Sequence, residues 1–280
     1  MKVSIIVTTF NRAHMVIETI DSILNQTFND FELIVVDNCS SDNTEEVIKA
    51  YTDERIRYFK HDNGGIIAVN RNYGINQARG EYLAFCDDDD LWLPEKLEKQ
   101  MLEFEKENQI GLVCSNAIIF DENGEVGEFH KTELPDSNFT LKSLVWQNSV
   151  ICSSVLVKKR AIDDVGLMDE SPEIFSAEDY ELWLRVAQKY RIKYIELPLM
   201  KYRTHPGSYK KKPVEAIKRN RAVYRILLGK GIIDHGLFQR LNLRELAIEF
   251  LMRTGTIKYA SWLLRLVRRL SYGMKRKLSS

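Results

Sequence analysis

The sequence predicts an α/β protein built on a doubly wound, mostly parallel sheet. Two observations carry this. Strand-like apolar runs alternate with stretches of helical periodicity over the first 115 residues, the pattern of a parallel sheet with helices on both faces. The residues that follow three of those runs are polar or acidic, and in such a sheet the ligand crevice opens beyond the carboxyl ends of the strands.

Val3–Thr8 is a short β-branched run and predicts a buried first strand. Met15, Val16, Ile20, Ile23 and Leu24 then recur at helical spacing, and Leu33–Val36 predicts a second buried strand. Asp42 followed by Glu45 reads as a capping box for a helix with Val47, Ile48 and Tyr51 on one face. Ile56–Phe59 predicts a third strand, Ile66–Ala78 a helix closed by Gly80, and Tyr82–Cys86 a fourth strand. Pro94 opens a helix with Leu97, Met101 and Phe104 on one face, and Ile110–Ser115 predicts a fifth strand. Residues 121–149, with Gly124, Gly127 and Pro135 among scattered polar residues, read as loops. Ser153–Val157 and Ile192–Leu197 predict strands on either side of a helix over Asp179–Tyr190, whose Leu182, Trp183, Val186 and Tyr190 share one side. From Pro213 the pattern is helical to the end.

The 280 residues, 44% of them hydrophobic, can bury one large domain with an appendage or two smaller ones. Net charge is zero, but it is unevenly spread. Residues 253–280 hold eight Lys or Arg and no Asp or Glu, leaving 32 basic and 40 acidic groups before them. Cys39, Cys86, Cys114 and Cys152 form no metal-ligand spacing and read as reduced, structural thiols. No segment approaches the roughly 18 apolar residues of a membrane span. The N-terminal apolar run is too short for a signal peptide. The expectation is a cytoplasmic protein, soluble or peripheral on the inner face of the membrane, with no nucleic-acid partner.

Four successive carboxylates, Asp87, Asp88, Asp89 and Asp90, follow the fourth strand. Such a run repels itself unless a cation or a proton compensates. Mg²⁺ or Mn²⁺ is the natural compensator, held by one or two carboxylates together with substrate phosphates. The first strand ends in Thr8-Thr9-Phe10-Asn11-Arg12 and the second in Asp37-Asn38, so parallel topology brings all three clusters together. Asp37 alone reads equally well as a turn residue. Asn63-Gly64-Gly65 precedes the helix carrying Arg71. This is either a close backbone approach to a ligand with Arg71 reaching a base or phosphate, or an ordinary loop. Glu178 and Asp179 open a helix, either as a carboxylate cap or as a general base for an acceptor hydroxyl.

In this order, these residues resemble the family 2 glycosyltransferases. The match runs through Val3–Arg12, Glu32–Thr44, Asn63-Gly64-Gly65 with Arg71–Gly74, Phe85–Trp92, Val165–Glu170, Glu178-Asp179 and Tyr202–His205. The resemblance implies a GT-A glycosyltransferase domain over 1–210, with 1–116 as the nucleotide-sugar-binding half and 117–210 as the acceptor half. A helical, basic C-terminal extension follows over 211–280. The implied enzyme is an inverting hexosyl- or N-acetylhexosaminyl-transferase. It would move a sugar from a nucleotide diphosphate, UDP above all, to a hydroxyl of a glycan or lipid-linked glycan in surface polysaccharide synthesis. Position by position, the resemblance assigns Thr8, Phe10 and Asn11 to the base and ribose pocket and Asp37 to the base. Asp42 and Arg71 fall on nucleotide contacts, Asp87 on the ribose, and Asp88 beside it in the donor site. Asp89 falls on the Mn²⁺ or Mg²⁺ ion, Asp179 on the catalytic base, and Glu178 on its support. His205 falls on a further metal or phosphate contact, or is structural.

Two positions depart from the family's pattern. Asp37-Asn38 stands where many relatives have two aspartates, which leaves thymidine or guanosine donors open. Asp88 adds a charge where relatives often have serine. Tyr259, Trp262, Leu263, Leu266, Val267 and Leu270 share one face of a basic segment over 256–280. It reads as an interfacial helix on an anionic membrane or as a helix packed on the body. Two other functions compete. A nucleotidyltransferase would place a glycine-rich phosphate loop after the first strand, where Thr8–Arg12 has no glycine. A non-catalytic nucleotide-sugar-binding protein would bind donor without turnover.

Overall fold

The structure, a computed structural model, is described for residues 1–130, 137–205 and 213–254. Two compact units divide between Ser208 and Tyr209.

The first unit begins with β1 (Val3–Thr9), α1 (Ala13–Leu24), β2 (Phe31–Asp37), α2 (Thr44–Lys49), β3 (Ile56–Lys60), α3 (Ile67–Gln77) and β4 (Tyr82–Asp87). It continues with β5 (Leu91–Trp92), α4 (Lys96–Lys106), β6 (Ile110–Asp121), β7 (Gly124–Glu128), β8 (Asn138–Phe139) and α5 (Leu141–Leu144). β9 (Leu156–Lys158), α6 (Lys159–Val165), α7 (Glu178–Lys189) and β10 (Arg191–Arg203) complete it. The ten strands among the described residues form one sheet, ordered β3-β2-β1-β4-β9-β6-β10-β5, with β7 on β6 and β8 on β10. β1, β2, β3 and β4 pair in parallel, as do β6 and β10. β9 is wedged antiparallel between β4 and β6. The parallel, doubly wound core is thus as the sequence predicts.

β1 and β2 are buried along their whole length, which is why they read as continuous apolar runs. α3 lies hard on β1. A Cβ on Gly74 would come 2.6 Å from Ile6 Cγ2, and one on Gly80 would come 2.7 Å from the Ser4 backbone nitrogen. Reversal of the strand order at β1 leaves a crevice beyond the carboxyl ends of β1 and β4.

Several local expectations are corrected. Asp42 does not cap α2 through a capping box. Its Oδ1 accepts from the Thr44 amide at 3.1 Å, while Oδ2 accepts from the Ala13 amide at 3.2 Å and so caps α1. Glu45 is drawn instead to Lys49 and Lys60. Residues 121–149 are not simply loops. β6 runs on to Asp121 and turns back into β7, which is exposed along most of its length and so carries no apolar signal. α5 is capped by a Thr140–Ser143 box but is too short to show a period. Within Ser153–Val157, a 3-10 turn over Cys152–Ser154 precedes the short β9. β10 continues through Pro198 to Arg203, and register shifts on both sides of the proline absorb its missing donor.

The second unit is described as α8 (Pro213–Gly229) and α9 (His235–Arg253), which pack on each other. Asp234 caps α9 by accepting from the Leu237 amide at 2.6 Å. The segment 256–280 lies outside the described residues. No helix among the described residues is long and apolar enough to cross a membrane.

Candidate active site

Parallel register sets Thr8 of β1 beside Asp87 of β4, and Thr9 beside Asp37 of β2. The three polar strand ends therefore meet at the crevice. Three non-glycine residues among those described have positive φ: Asn11 at 51°, Cys39 at 55° and Ser176 at 65°. Two lie in the loops after β1 and β2, and the third lies just before Glu178. Such backbone costs about 1–3 kcal/mol per residue and collects at functional sites.

The four carboxylates of the acidic run meet four different environments. Asp87 Oδ1 accepts from Arg71 Nη2 at 2.6 Å, and the Asp87 amide donates to Ser153 Oγ at 3.0 Å. Asp88 is buried and accepts from Arg12 Nη1 at 2.7 Å; burial pushes its carboxyl up to about 6. Asp89 Oδ2 lies 3.0 Å from Arg12 Nη1 and 3.1 Å from His205 Nε2. Its carboxyl is raised by burial and by Asp87. Asp90 is 1% exposed, accepts from the Arg203 amide at 3.0 Å, and is raised by burial and by Asp89. Compensation of the run thus comes in large part from guanidinium groups of the chain itself. Arg12 and Arg203 belong to the motifs that carry the family resemblance, but no role for either is visible in those motifs. Ser153 left no signal at all, because a serine in a strand-like run is ordinary.

Arg71 joins two carboxylates. It is buried and bridges Asp87 to Glu178, whose Oε1 accepts from Arg71 Nη1 at 2.5 Å. A buried guanidinium demands such carboxylate partners. The bridge joins the acidic run to the N-terminus of α7. Asp179, the next residue, accepts from the Tyr180 amide at 2.7 Å, and its carboxyl is pushed up to about 7 by burial and by the Glu178 charge. The carboxylate-rich start of α7 thus holds one group paired with Arg71 and one that titrates near neutrality, the value suited to a general base.

Around the β1 and β2 ends, Asn11 Oδ1 accepts from the Ser41 amide at 2.8 Å, and the Asn11 amide donates to Ser40 Oγ at 2.8 Å. Asp37 has no exposed surface. Ser40 donates to its Oδ1 and Tyr58 to its Oδ2, the latter at 2.6 Å. Asp37 therefore holds the loop from inside. Asn38 next to it accepts from the Asn63 amide at 2.9 Å, which ties the Asn63-Gly64-Gly65 segment to the same loop. Phe10 presents its ring to solvent, 51% exposed, at the mouth of the crevice. Beneath the run, Lys96 is fully buried 3.8 Å over the Trp92 ring and bonded to Gln100, and burial pushes its amine down to about 7.

Among the described residues, no three His, Cys, Asp or Glu side chains are gathered as a metal cage. The Asp89 carboxylate and the His205 imidazole converge with one oxygen and one nitrogen. That pair fits a divalent ion whose remaining ligands come from a diphosphate, the usual arrangement for Mg²⁺ in nucleotide sites.

The acidic run at a strand-order reversal and the near-neutral carboxyl at the start of α7 sit on an architecture that is the GT-A fold of glycosyltransferases. Residues 4–165, more than half of the chain, match "Glycosyl transferase family 2", and the chain belongs to that family. An uncharacterised glycosyltransferase of Methanocaldococcus jannaschii is 34% identical over 206 residues, 72% of this chain and 70% of that one. The Escherichia coli protein WfgD, named a UDP-Glc:α-D-GlcNAc-diphosphoundecaprenol β-1,3-glucosyltransferase, is 30% identical over 78% of this chain and 83% of its own. Some matched relatives are longer, and the chain spans 31–42% of three of them. In structure, S. aureus TarS 1-349 in complex with UDP-GlcNAc superposes with a TM-score of 0.68 at 20% identity, over 92% of this chain and 75% of that one.

Proposed function

We propose that the protein is an inverting glycosyltransferase that uses a nucleotide-diphosphate sugar, a UDP-sugar first, and glycosylates a hydroxyl of a glycan or lipid-linked glycan in surface polysaccharide synthesis. The observation that carries this reading is the bridge Asp87–Arg71–Glu178, which fixes Asp179 beside the acidic run. Donor site and proton acceptor are thereby held in one frame. The name of the WfgD relative supports a UDP-hexose donor and a diphospholipid-linked acceptor.

In this reading Phe10 offers its exposed face to the base, and Thr8 and Asn11 shape the pocket around base and ribose. Asp37 and Asp42 act from behind, the first by holding the 38–41 loop and the second by capping α1. Asp87 orients the ribose, and Asp88 anchors Arg12 at the floor of the site. Asp89 and His205 would hold Mn²⁺ or Mg²⁺, which neutralises the leaving diphosphate when bound. Asp179 takes the proton of the acceptor hydroxyl as that oxygen attacks the anomeric carbon opposite the diphosphate, and one displacement inverts the configuration. Glu178, neutralised by Arg71, keeps the start of α7 in place.

The test is nucleotide release from a panel of UDP-, GDP- and dTDP-hexoses and N-acetylhexosamines, with a lipid-diphosphate-linked amino sugar as acceptor. Acceptor-dependent release of UDP supports the reading. Tight donor binding with no release from any donor favours a non-catalytic binding protein instead.

A further inference from the structure

α9 is apolar on two faces. Leu241 and Ile248 are buried, together with the Glu245 side chain that accepts from Tyr224 of α8. On the other side Leu243, Leu246 and Phe250 recur at i, i+3 and i+7, and are 65, 41 and 66% exposed. Single exposed apolar residues are ordinary, but three aligned on one face form a patch. Arg240, exposed, lies one turn before Leu243, and Arg253, 62% exposed, lies one turn after Phe250, while Arg244 turns toward the buried Glu245. Both carboxylates of α9 turn away from this face. Glu245 is buried, and Glu249, 13% exposed, is held by Arg253 at 2.6 Å.

The charge extends well beyond the helix. Residues 213–280 contain fifteen Lys or Arg against four Asp or Glu, whereas residues 1–212 contain twenty-five against thirty-six. The basic character therefore begins at α8, ahead of the segment 253–280. An apolar stripe rimmed by arginine, on the basic part of a chain whose remainder is acidic, complements a surface with an apolar interior and a negative boundary.

We propose that this face of α9 seats on an anionic lipid surface, with Leu243, Leu246 and Phe250 entering the boundary between headgroups and acyl chains and Arg240 and Arg253 meeting lipid phosphates. The reading of a lipid-linked acceptor gives such seating a purpose. Vesicle binding, however, is measured without any sugar transfer, so the two ideas fail separately.

The experiment is co-sedimentation of the full chain with phosphatidylcholine vesicles and with vesicles containing phosphatidylglycerol, for the wild type and for Leu243→Ser/Leu246→Ser/Phe250→Ser. These positions are exposed, and circular dichroism of the variant checks that the helices persist. The wild type is expected to bind anionic vesicles in preference to neutral ones, and the variant to lose at least about tenfold in affinity. Arg240→Glu is expected to weaken binding in the same direction. Equal binding by wild type and triple variant would overturn the proposal and move any contact to the 255–280 segment. Absence of binding by the wild type, or a wild-type dimer that the triple variant converts to monomer, would overturn it as well; the dimer would make the stripe an interface between copies.

Discussion

Glu178 and Asp179 are neighbours with opposite electrical surroundings, and the proposed chemistry depends on the difference. Arg71 neutralises Glu178, while burial and the Glu178 charge keep Asp179 titrating at about 7. General-base assistance is worth about 10²–10⁴ in rate. Asp179→Asn should therefore lower kcat by that range and leave the donor dissociation constant, measured by calorimetry, within about threefold. In the wild type kcat/KM should rise with pH through about 7, and the variant should lose that limb. The same shift affects stability. The folded state holds the Asp179 proton to higher pH than the unfolded chain does. Its stabilising contribution is complete below about pH 4 and is lost as pH rises through about 7. The melting temperature of Asp179→Asn should therefore fall less than that of the wild type between pH 5 and 8. Asp89→Ala should abolish the increment that Mn²⁺ adds to UDP affinity, read by titration with and without the ion. An unchanged increment would remove Asp89 from the metal site. The acidic run was legible in the sequence as a cluster of like charges that needs compensation. The fate of each aspartate was not, because it is set by Arg12, Arg71, Arg203 and His205, all but one of them more than seventy residues away.

The Arg71 bridge also fixes one element on another, since it ties α3 to β4 and to the start of α7. Arg71→Met strands Glu178 in the interior. Loss of one partner of a buried pair costs about 3–5 kcal/mol, which urea unfolding would show. Adding Glu178→Gln should recover part of the loss, because a neutral amide tolerates burial better than a lone carboxylate. A similar sensitivity is expected where the end of α3 meets β1. Gly80→Ala would press a methyl group against the Ser4 backbone and should cost about 1–3 kcal/mol by the same measurement. Elements that are buried on both faces were legible, because β1, β2 and the first half of β6 are built around short apolar runs. β7 was hidden because it is exposed, and the far half of β10 because Pro198 reads as a breaker unless the bulge that holds it is known.

At the scale of the whole molecule, every residue assigned to donor, base or metal lies between Thr8 and His205, within the unit that ends at Ser208. The second unit contributes none of them. A chain ending at Ser208 should therefore retain the UDP affinity of the full protein to within about threefold if its fold survives, with circular dichroism as the control. Affinity lost with the fold intact would place a nucleotide contact in the second unit. The fold class and the ordering of the site along the chain were legible in the sequence, since both follow from period and motif order. The insertion of β9 was not, because three residues carry no period and their two partners lie far away in the chain.

That insertion bears on how the protein is made. β4 and β6 leave the ribosome with a gap between them, and the strand that closes it is synthesised only after β7, β8 and α5. Until then β4 offers an open backbone edge beside the acidic run, the kind of edge that recruits foreign strands. A nascent chain stalled before Leu156 should therefore be a client for chaperones, whereas one extended past Lys158 can close the gap between β4 and β6 and leaves only the far edge of β6 waiting for β10.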